Sequence, residues 1–376
     1  MSRILIACGG TGGHLAPGIA VAQELVDRGH KCKLVITQKT VDQRLASAYP
    51  NLSFMALNSL PWTNKFWKWP GFFYHLIQNF LTVTRCIKKE KIDLVLAFGG
   101  FLSLGVVLSA AFLRKPCFLH EANRYPGKAT RFLKFFAKRI YLPRGMALKH
   151  IHKRIVRNYG FPVRKEIRKM SKSCARKELH MSMRQRLLVV LGGSQGAKAF
   201  NRWVIENCEW LGKEDINVIC VTGIGKVNES KLEETHTNGR TTKTIFIPFS
   251  ANVSPLLSAA DLVISRAGAG TIAELIRCEV PSILVPYPFA ANNHQMANAL
   301  FFECQGGCMV VSQSKIDTLL NEVIQLINDD DLLNFMQQNL RCLNRNNATF
   351  RISNDIENYC NRIIRACCFA NGYAYC

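Results

Sequence analysis

Short apolar runs that end on glycine, each followed by a stretch of helical spacing, set the rhythm of this chain. The first covers residues 4–8, breaks at Gly9-Gly10 and gives way to a helix predicted over residues 15–27. Further strands are predicted at 33–37, 94–98, 117–120 and 139–142, with helical segments between them. The same grammar restarts at Leu187, with strands at 187–191, 218–221, 244–247, 262–265 and 282–285 and a helix over 197–207. Continuous apolar runs of this length read as strands covered on both faces, and their alternation with helices specifies a parallel sheet. The pattern therefore predicts an α/β protein of two Rossmann-like, doubly wound units in series. Glycine and proline in Asn158-Tyr159-Gly160-Phe161-Pro162 mark the junction, which places one domain at 1–160 and a second at 161–376. A last helical segment, about 349–368, is long enough to cross back onto the first domain.

Residues 94–113 carry no charge and are long enough to span a bilayer. Gly99-Gly100 splits the run, so a strand, a turn and a buried helix account for it without lipid. A length of 376 residues exceeds what one hydrophobic core usually holds, and a hydrophobic fraction of 48% excludes a disordered chain. The 15 cysteines are scattered and follow no apolar leader, which reads as reduced thiols of a cytosolic protein. No C-x-x-C pair with a matching Cys or His partner is present, so no zinc site is expected. Charge changes the picture more. Of the net +23, residues 1–160 hold 25 Lys and Arg against 6 Asp and Glu, leaving 24 against 20 for the rest. Such an excess points to an anionic partner of the first domain: nucleic acid, a phosphorylated substrate or an acidic lipid surface. A merely soluble basic surface is the plainer reading of the same numbers.

Gly9-Gly10-Thr11-Gly12-Gly13-His14 follows the first strand and opens a helix. Its small residues let backbone N–H groups approach an oxyanion at a helix N-terminus. It is not the dinucleotide fingerprint: Leu15 stands where Gly or Ala is required, and the second strand ends in Thr37-Gln38 without a ribose-binding acid. The Lys-Ser/Thr ending of a P-loop is missing too. At the start of that helix, His14 can act as a neutral base toward a hydroxyl, or simply as a structural cap. Gly99-Gly100-Phe101 repeats the strand-to-glycine logic, giving two oxyanion-friendly loops on one sheet edge. His120-Glu121-Ala122-Asn123 loads a strand end with polar groups, which fits a site wall or a cap for the helix starting near Gly127.

In the second unit Gly192-Gly193-Ser194-Gln195-Gly196 again joins strand to helix, with the Ser194 hydroxyl able to donate to a phosphate. Arg266-Ala267-Gly268-Ala269-Gly270-Thr271 brings another helix start close, and Glu274 can accept from ribose hydroxyls or serve as a helix-dipole acid. Asn292-Asn293-His294-Gln295 with Asn298 adds amides, Gln295 and Asn298 lying on one helical face.

Taken in order, GGTGGH, FGGF, HEAN, GFPVR, GGSQGA, RAGAGTIAEL and PYPFAANNHQMANA resemble the MurG family of peptidoglycan glycosyltransferases. The resemblance implies two facing Rossmann-like domains of the GT-B type, with the acceptor on the first and the UDP-sugar on the second. It implies inverting transfer of N-acetylglucosamine from UDP-N-acetylglucosamine to the muramyl-pentapeptide of undecaprenyl diphosphate, without metal or cofactor. Residue by residue it places Thr11, Gly12, Gly13 and Asn123 at the donor sugar and reaction centre. Arg164, Ser194, Glu274 and Gln295 would grip UDP or the sugar, and His14 would be the general base. Asp329-Asp330-Asp331 satisfies D-x-D literally but reads as capping charge. Phe161, where the family often has Asn, and Gly270, where some members have a larger residue, depart from the pattern.

Trp62, Phe66, Trp67, Trp69, Phe72, Phe73, Tyr74 and Phe80 interleave with Lys65 and Lys68, and residues 131–139 form a second basic-aromatic stretch. Such mixtures suit a bilayer interface, so an anionic membrane surface is expected as partner. Single strands of nucleic acid could stack on the same aromatics, and a core helix could absorb several; the membrane is the favoured reading and nucleic acid is not expected. The expected location is the cytoplasmic face of the cell membrane, with cell-wall synthesis proteins as further partners. A UDP-sugar epimerase on a similar scaffold, and a non-enzymatic basic binder whose glycine loops are only turns, are the competing readings.

Overall fold

Successive side chains of a strand point to opposite faces of its sheet, so an unbroken apolar run needs a hydrophobic cover on both sides. In the computed structural model β1 (Arg3–Ala7) has both: Ile4 and Ile6 enter one core, Leu5 and Ala7 the core on the opposite face. The structure describes residues 1–10, 12–60, 65–193, 196–226, 230–235, 240–345 and 347–370, with backbone alone for 68 and 364–370.

β2 (Lys31–Thr37), β3 (Ser53–Leu57), β4 (Leu94–Ala97), β5 (Cys117–His120), β6 (Ala137–Tyr141) and β7 (Val156–Arg157) complete the first sheet. Its order is β3-β2-β1-β4-β5-β6-β7, and every pair is parallel. The second sheet comprises β8 (Arg186–Leu191), β9 (Ile216–Val221), β10 (Ser230–Thr235), β11 (Thr241–Ile247), β12 (Leu262–Ser265), β13 (Ser282–Leu284) and β14 (Cys308–Val310). Its order is β10-β11-β9-β8-β12-β13-β14, with β10 antiparallel to β11 and the other pairs parallel. The uncharged run at 94–113 resolves into β4, a glycine turn and the helix Leu102–Phe112. Among the described residues no helix is long and apolar enough to cross a membrane.

Two compact units result: Met1–Arg164 with Asn347–Cys376, and Lys165–Asn346. The first thus runs to Arg164 rather than ending at Gly160, and the second closes at Asn346 rather than at the C-terminus. The cause lies in the helix Ala348–Ala370, whose stripe of Ile352, Ile356 and Cys360 is buried in the core that also holds Ile4, Ile6, Leu15 and Ile19. Polar contacts hold the same helix to the same unit. Tyr141 donates to Asp355 at 3.1 Å, Arg28 pairs with Glu357 at 3.1 Å, and the Val163 N–H reaches the Thr349 hydroxyl at 3.1 Å.

Candidate active site

In an open parallel sheet the crevice for a ligand lies at the carboxyl ends of the strands, where the strand order reverses direction. In the first sheet that point is between β1 and β4, and each strand leads into a glycine pair, Gly9-Gly10 and Gly99-Gly100. The β1 loop is pressed onto the end of β2: a Cβ on Gly9 would collide with the Ile36 and Thr37 backbone. The helix Gly12–Asp27 then starts with no acid in its first turn, leaving its N-terminus free to favour an anion. Gly18 lies so close to Cys8 that a Cβ there would strike the cysteine side chain.

His14 sits in the first turn of that helix and lies against the β4 loop. A Cβ on Gly99 would stand 3.5 Å from its Nε2, and one on Gly100 3.4 Å from its Nδ1. Both glycines have positive φ, 87° and 75°, so the loop takes a shape that an L side chain would strain, and its bare backbone makes room for the imidazole. Burial lowers the His14 pKa, against the opposing pull of Glu121 and Asp42, while Lys39 adds to the lowering. An imidazole held in this way is neutral at pH 7 and able to accept a proton.

Glu121, buried at the end of β5, shapes the third loop of this edge. Its Oε1 accepts the Asn123 N–H and its Oε2 the Gly127 N–H, both at 3.0 Å. The HEAN segment is therefore a wall organised by its own carboxylate, with Asn123 half-buried on it. Gly127 is the N-cap of the helix Lys128–Leu133, so the Glu121 contact also ties this wall to the start of that helix. Arg164 is buried in the first unit, where it donates to the Tyr49 hydroxyl at 2.9 Å. Thr11, one of the expected sugar-facing residues, lies outside the described residues, whereas Gly12 and Gly13 are the first residues of the helix, which begins three positions before the expected start at 15.

The second sheet reverses between β8 and β12, and the loops after β8, β12 and β13 leave the same edge. Ser194 and Gln195 lie outside the described residues. Around them, Gly193 and Gly196 have φ of 80° and 65°, and a Cβ on Gly196 would collide with the Thr222 carbonyl. Gly268 caps the helix Ala269–Cys278, which has no acid in its first turn; Glu274 lies further along it, half-buried. Gln295, in the helix His294–Glu303, accepts the Tyr287 N–H on its Oε1 at 2.9 Å, which leaves its NH2 as the group it can offer. Asn298 donates to the Ala267 carbonyl at 3.3 Å and so ties that helix to the loop after β12.

Arg266 belongs to this edge although only its loop drew notice in the sequence. It donates to the Val285 carbonyl at 3.0 Å, and its guanidinium lies 4.4 Å from the Phe200 ring centre and 5.6 Å from that of Tyr287. An arginine that directly follows an apolar strand is the signal that could have marked it. Asp329 accepts the Leu332 N–H at 2.9 Å as N-cap of the helix Asp330–Asn344, the capping role its position suggests.

Comparison with known proteins agrees with these two loop-bearing sheets. The glycosyltransferase family 28 N-terminal domain matches residues 4–142, and the C-terminal domain of the same family matches residues 187–349. A UDP-N-acetylglucosamine–N-acetylmuramyl-(pentapeptide) pyrophosphoryl-undecaprenol N-acetylglucosamine transferase of Opitutus terrae is 45% identical over 371 residues, 95% of each chain. A protein of the same name from Prochlorococcus marinus is 31% identical over 97% of this chain and 98% of its own. The crystal structure of MurG from Acinetobacter baumannii superposes with a TM-score of 0.71 at 23% identity, over 95% of this chain and 100% of that one, which speaks to the fold. With both domains matched in order and such identity along nearly its whole length, the chain belongs to glycosyltransferase family 28, and within it to the MurG group of hexosyltransferases.

Proposed function

We propose that this chain transfers N-acetylglucosamine from UDP-N-acetylglucosamine to the muramyl-pentapeptide of undecaprenyl-diphosphate lipid I, forming lipid II for peptidoglycan. Beside family membership, the observation that carries the reading is His14, a neutral imidazole seated on Gly99-Gly100 at the switch point of the first sheet. The acceptor binds at that edge. His14 removes the proton from its hydroxyl as the oxygen attacks the anomeric carbon, and the bond from that carbon to UDP breaks. Helix N-termini at the edge that holds the donor favour the charge of the departing diphosphate. A single displacement inverts the anomeric centre, so an α-linked donor gives a β-linked product.

The second unit is the donor side in this reading. Glu274 accepts from ribose hydroxyls, the Gln295 NH2 donates to the sugar, and Ser194 meets a phosphate. In the same reading Gly12, Gly13, Thr11 and Asn123 are the first unit's candidates for recognising the sugar, and Arg164 is a candidate for UDP or the sugar.

The first unit also meets an anionic membrane surface, as a peripheral protein of the cytoplasmic leaflet. Phe66, Trp67, Phe73, Tyr74 and Ile77 are all exposed, as are Phe132 and Phe135 near Arg131 and Lys134. Lys65 lies 5.8 Å from the Trp67 ring centre and Lys134 5.0 Å from that of Phe135, which puts cations beside apolar rings as an interface requires. Of the aromatic stretch, Trp62 lies outside the described residues.

Product mass spectrometry tests the reaction. The protein is mixed in detergent with UDP-N-acetylglucosamine and a short-chain analogue of the muramyl-pentapeptide lipid diphosphate. UDP together with an acceptor heavier by one N-acetylhexosamine is the expected result. Isomerised donor without change in the acceptor would replace the transferase with an epimerase.

A further inference from the structure

One carboxylate oxygen beside the glycine loop gathers three donors. Asp42 Oδ2 accepts the Gly10 N–H at 2.7 Å, the Thr37 N–H at 3.1 Å and the Thr37 hydroxyl at 2.6 Å. The side chain is fully buried, and its other oxygen, Oδ1, has no hydrogen-bond partner among the described residues. Burying a carboxylate costs heavily unless its oxygens are satisfied, and among the described residues only one of the two is. A neutral acceptor could hold the same three donors at a lower desolvation cost. What a charge adds at this place is its action on neighbouring groups.

The neighbour that matters is two short steps away. Gly10, at φ 120°, is held on both sides: its N–H by Asp42, its carbonyl by the Lys39 ammonium at 3.1 Å. The helix carrying His14 begins two residues later, and the Gly9 carbonyl is 3.5 Å from where a Gly100 Cβ would stand. A shift of the Gly9-Gly10 turn therefore displaces both the start of that helix and the glycine backbone on which the imidazole lies.

We propose that Asp42 is a positioning residue for the transfer reaction, fixing the Gly9-Gly10 turn and through it the seat of the His14 imidazole against Gly99-Gly100. The inference rests on His14 being the general base. Three charged groups act on that imidazole, Glu121 from the loop after β5, Asp42 from the segment after β2 and Lys39 from the β2 loop, while His120 at the end of β5 is itself acted on by His14. Asp42 and Glu121 favour its protonated form, and Lys39 opposes it. Asp42 thus sets position by hydrogen bonds and basicity by charge.

The test compares wild type, Asp42→Asn and His14→Ala as full chains. Turnover, donor KM and the His14 titration are measured, the last by NMR of labelled histidine with His14→Ala assigning the signal. For Asp42→Asn the expected result is turnover lower by roughly 10- to 100-fold, donor KM within about twofold of wild type, and a His14 titration moved to lower pH. A side chain serving the fold alone would lower the melting temperature and leave that titration unmoved, which would overturn the proposal; wild-type turnover would overturn it as well. Should Asp42→Asn fail to fold, Thr37→Val removes one donor and keeps the carboxylate. A moderate loss of turnover with unchanged donor KM is then expected, and full activity would count against the proposal. His14→Ala separates the two readings. If it stays active, the base assignment has failed. If it is inactive while Asp42→Asn behaves as wild type, the positioning role alone has failed.

Discussion

His120 shows how the fold sets the chemistry of a single side chain. Its Nε2–H donates to the Gly160 carbonyl at 3.1 Å, its Nδ1 is buried without a partner among the described residues, and its ring packs against Phe98 and Phe161. Burial lowers its pKa to about 4. In the unfolded chain the same imidazole takes up a proton near pH 6.5, so below that pH the unfolded state binds a proton that the folded state refuses. Stability conferred by this residue is present above pH 6.5 and is lost as pH falls toward about 4. The loss is on the order of 3 kcal/mol. Urea midpoints followed from pH 7 to pH 4 should fall less steeply in His120→Asn than in wild type; equal slopes would refute this assignment. The sequence exposed His14 because it abuts a glycine loop. It hid Asp42, whose meaning depends on a contact with Gly10, 32 residues away. Glu121 was visible within HEAN, yet nothing local says that its two oxygens hold the Asn123 and Gly127 amides.

At the level of the element, the helix Trp69–Lys89 has a face that asks for something outside the unit. Phe72, Val83 and Ile87 face inward, while Trp69, Phe73, Ile77 and Leu81, spaced by four, are exposed. Phe72 meets Phe101 of the glycine loop at 6.1 Å, so this helix is anchored at the candidate site and carries its apolar stripe outward. Vesicles containing anionic lipid should bind the protein at low salt and release it as salt rises, each engaged cation contributing about 1 kcal/mol. Changing Phe73, Ile77 and Leu81 together to serine should weaken that binding and leave donor affinity unchanged. Failure to bind such vesicles at low salt would remove the membrane from the account. Strand legibility followed burial. β5 and β12 match their predicted spans, as both are buried throughout. β3 and β10 carried no signal: β3 is a half-exposed edge strand, and β10 (SKLEET) is exposed along its whole length. Edge strands need no apolar cover, so no apolar run betrays them.

For the whole molecule, the doubly wound pattern was legible twice over because each sheet demands buried strands followed by loops at one edge. The extent of the second unit was less so. A terminal helix with a stripe at Ile352, Ile356 and Cys360 needs an apolar partner, but the stripe does not say which core supplies it. Charge is unevenly shared, with the excess of Lys and Arg in residues 1–160, which suits the anionic acceptor and membrane surface proposed for that unit. In the proposed reaction His14, in that basic unit, takes the acceptor proton while the other unit holds the donor. The most direct measurement is the turnover of His14→Ala set beside its affinity for UDP-N-acetylglucosamine. Turnover lower by roughly 10²- to 10⁴-fold with donor affinity unchanged is the predicted result. Wild-type turnover in the variant would contradict the account.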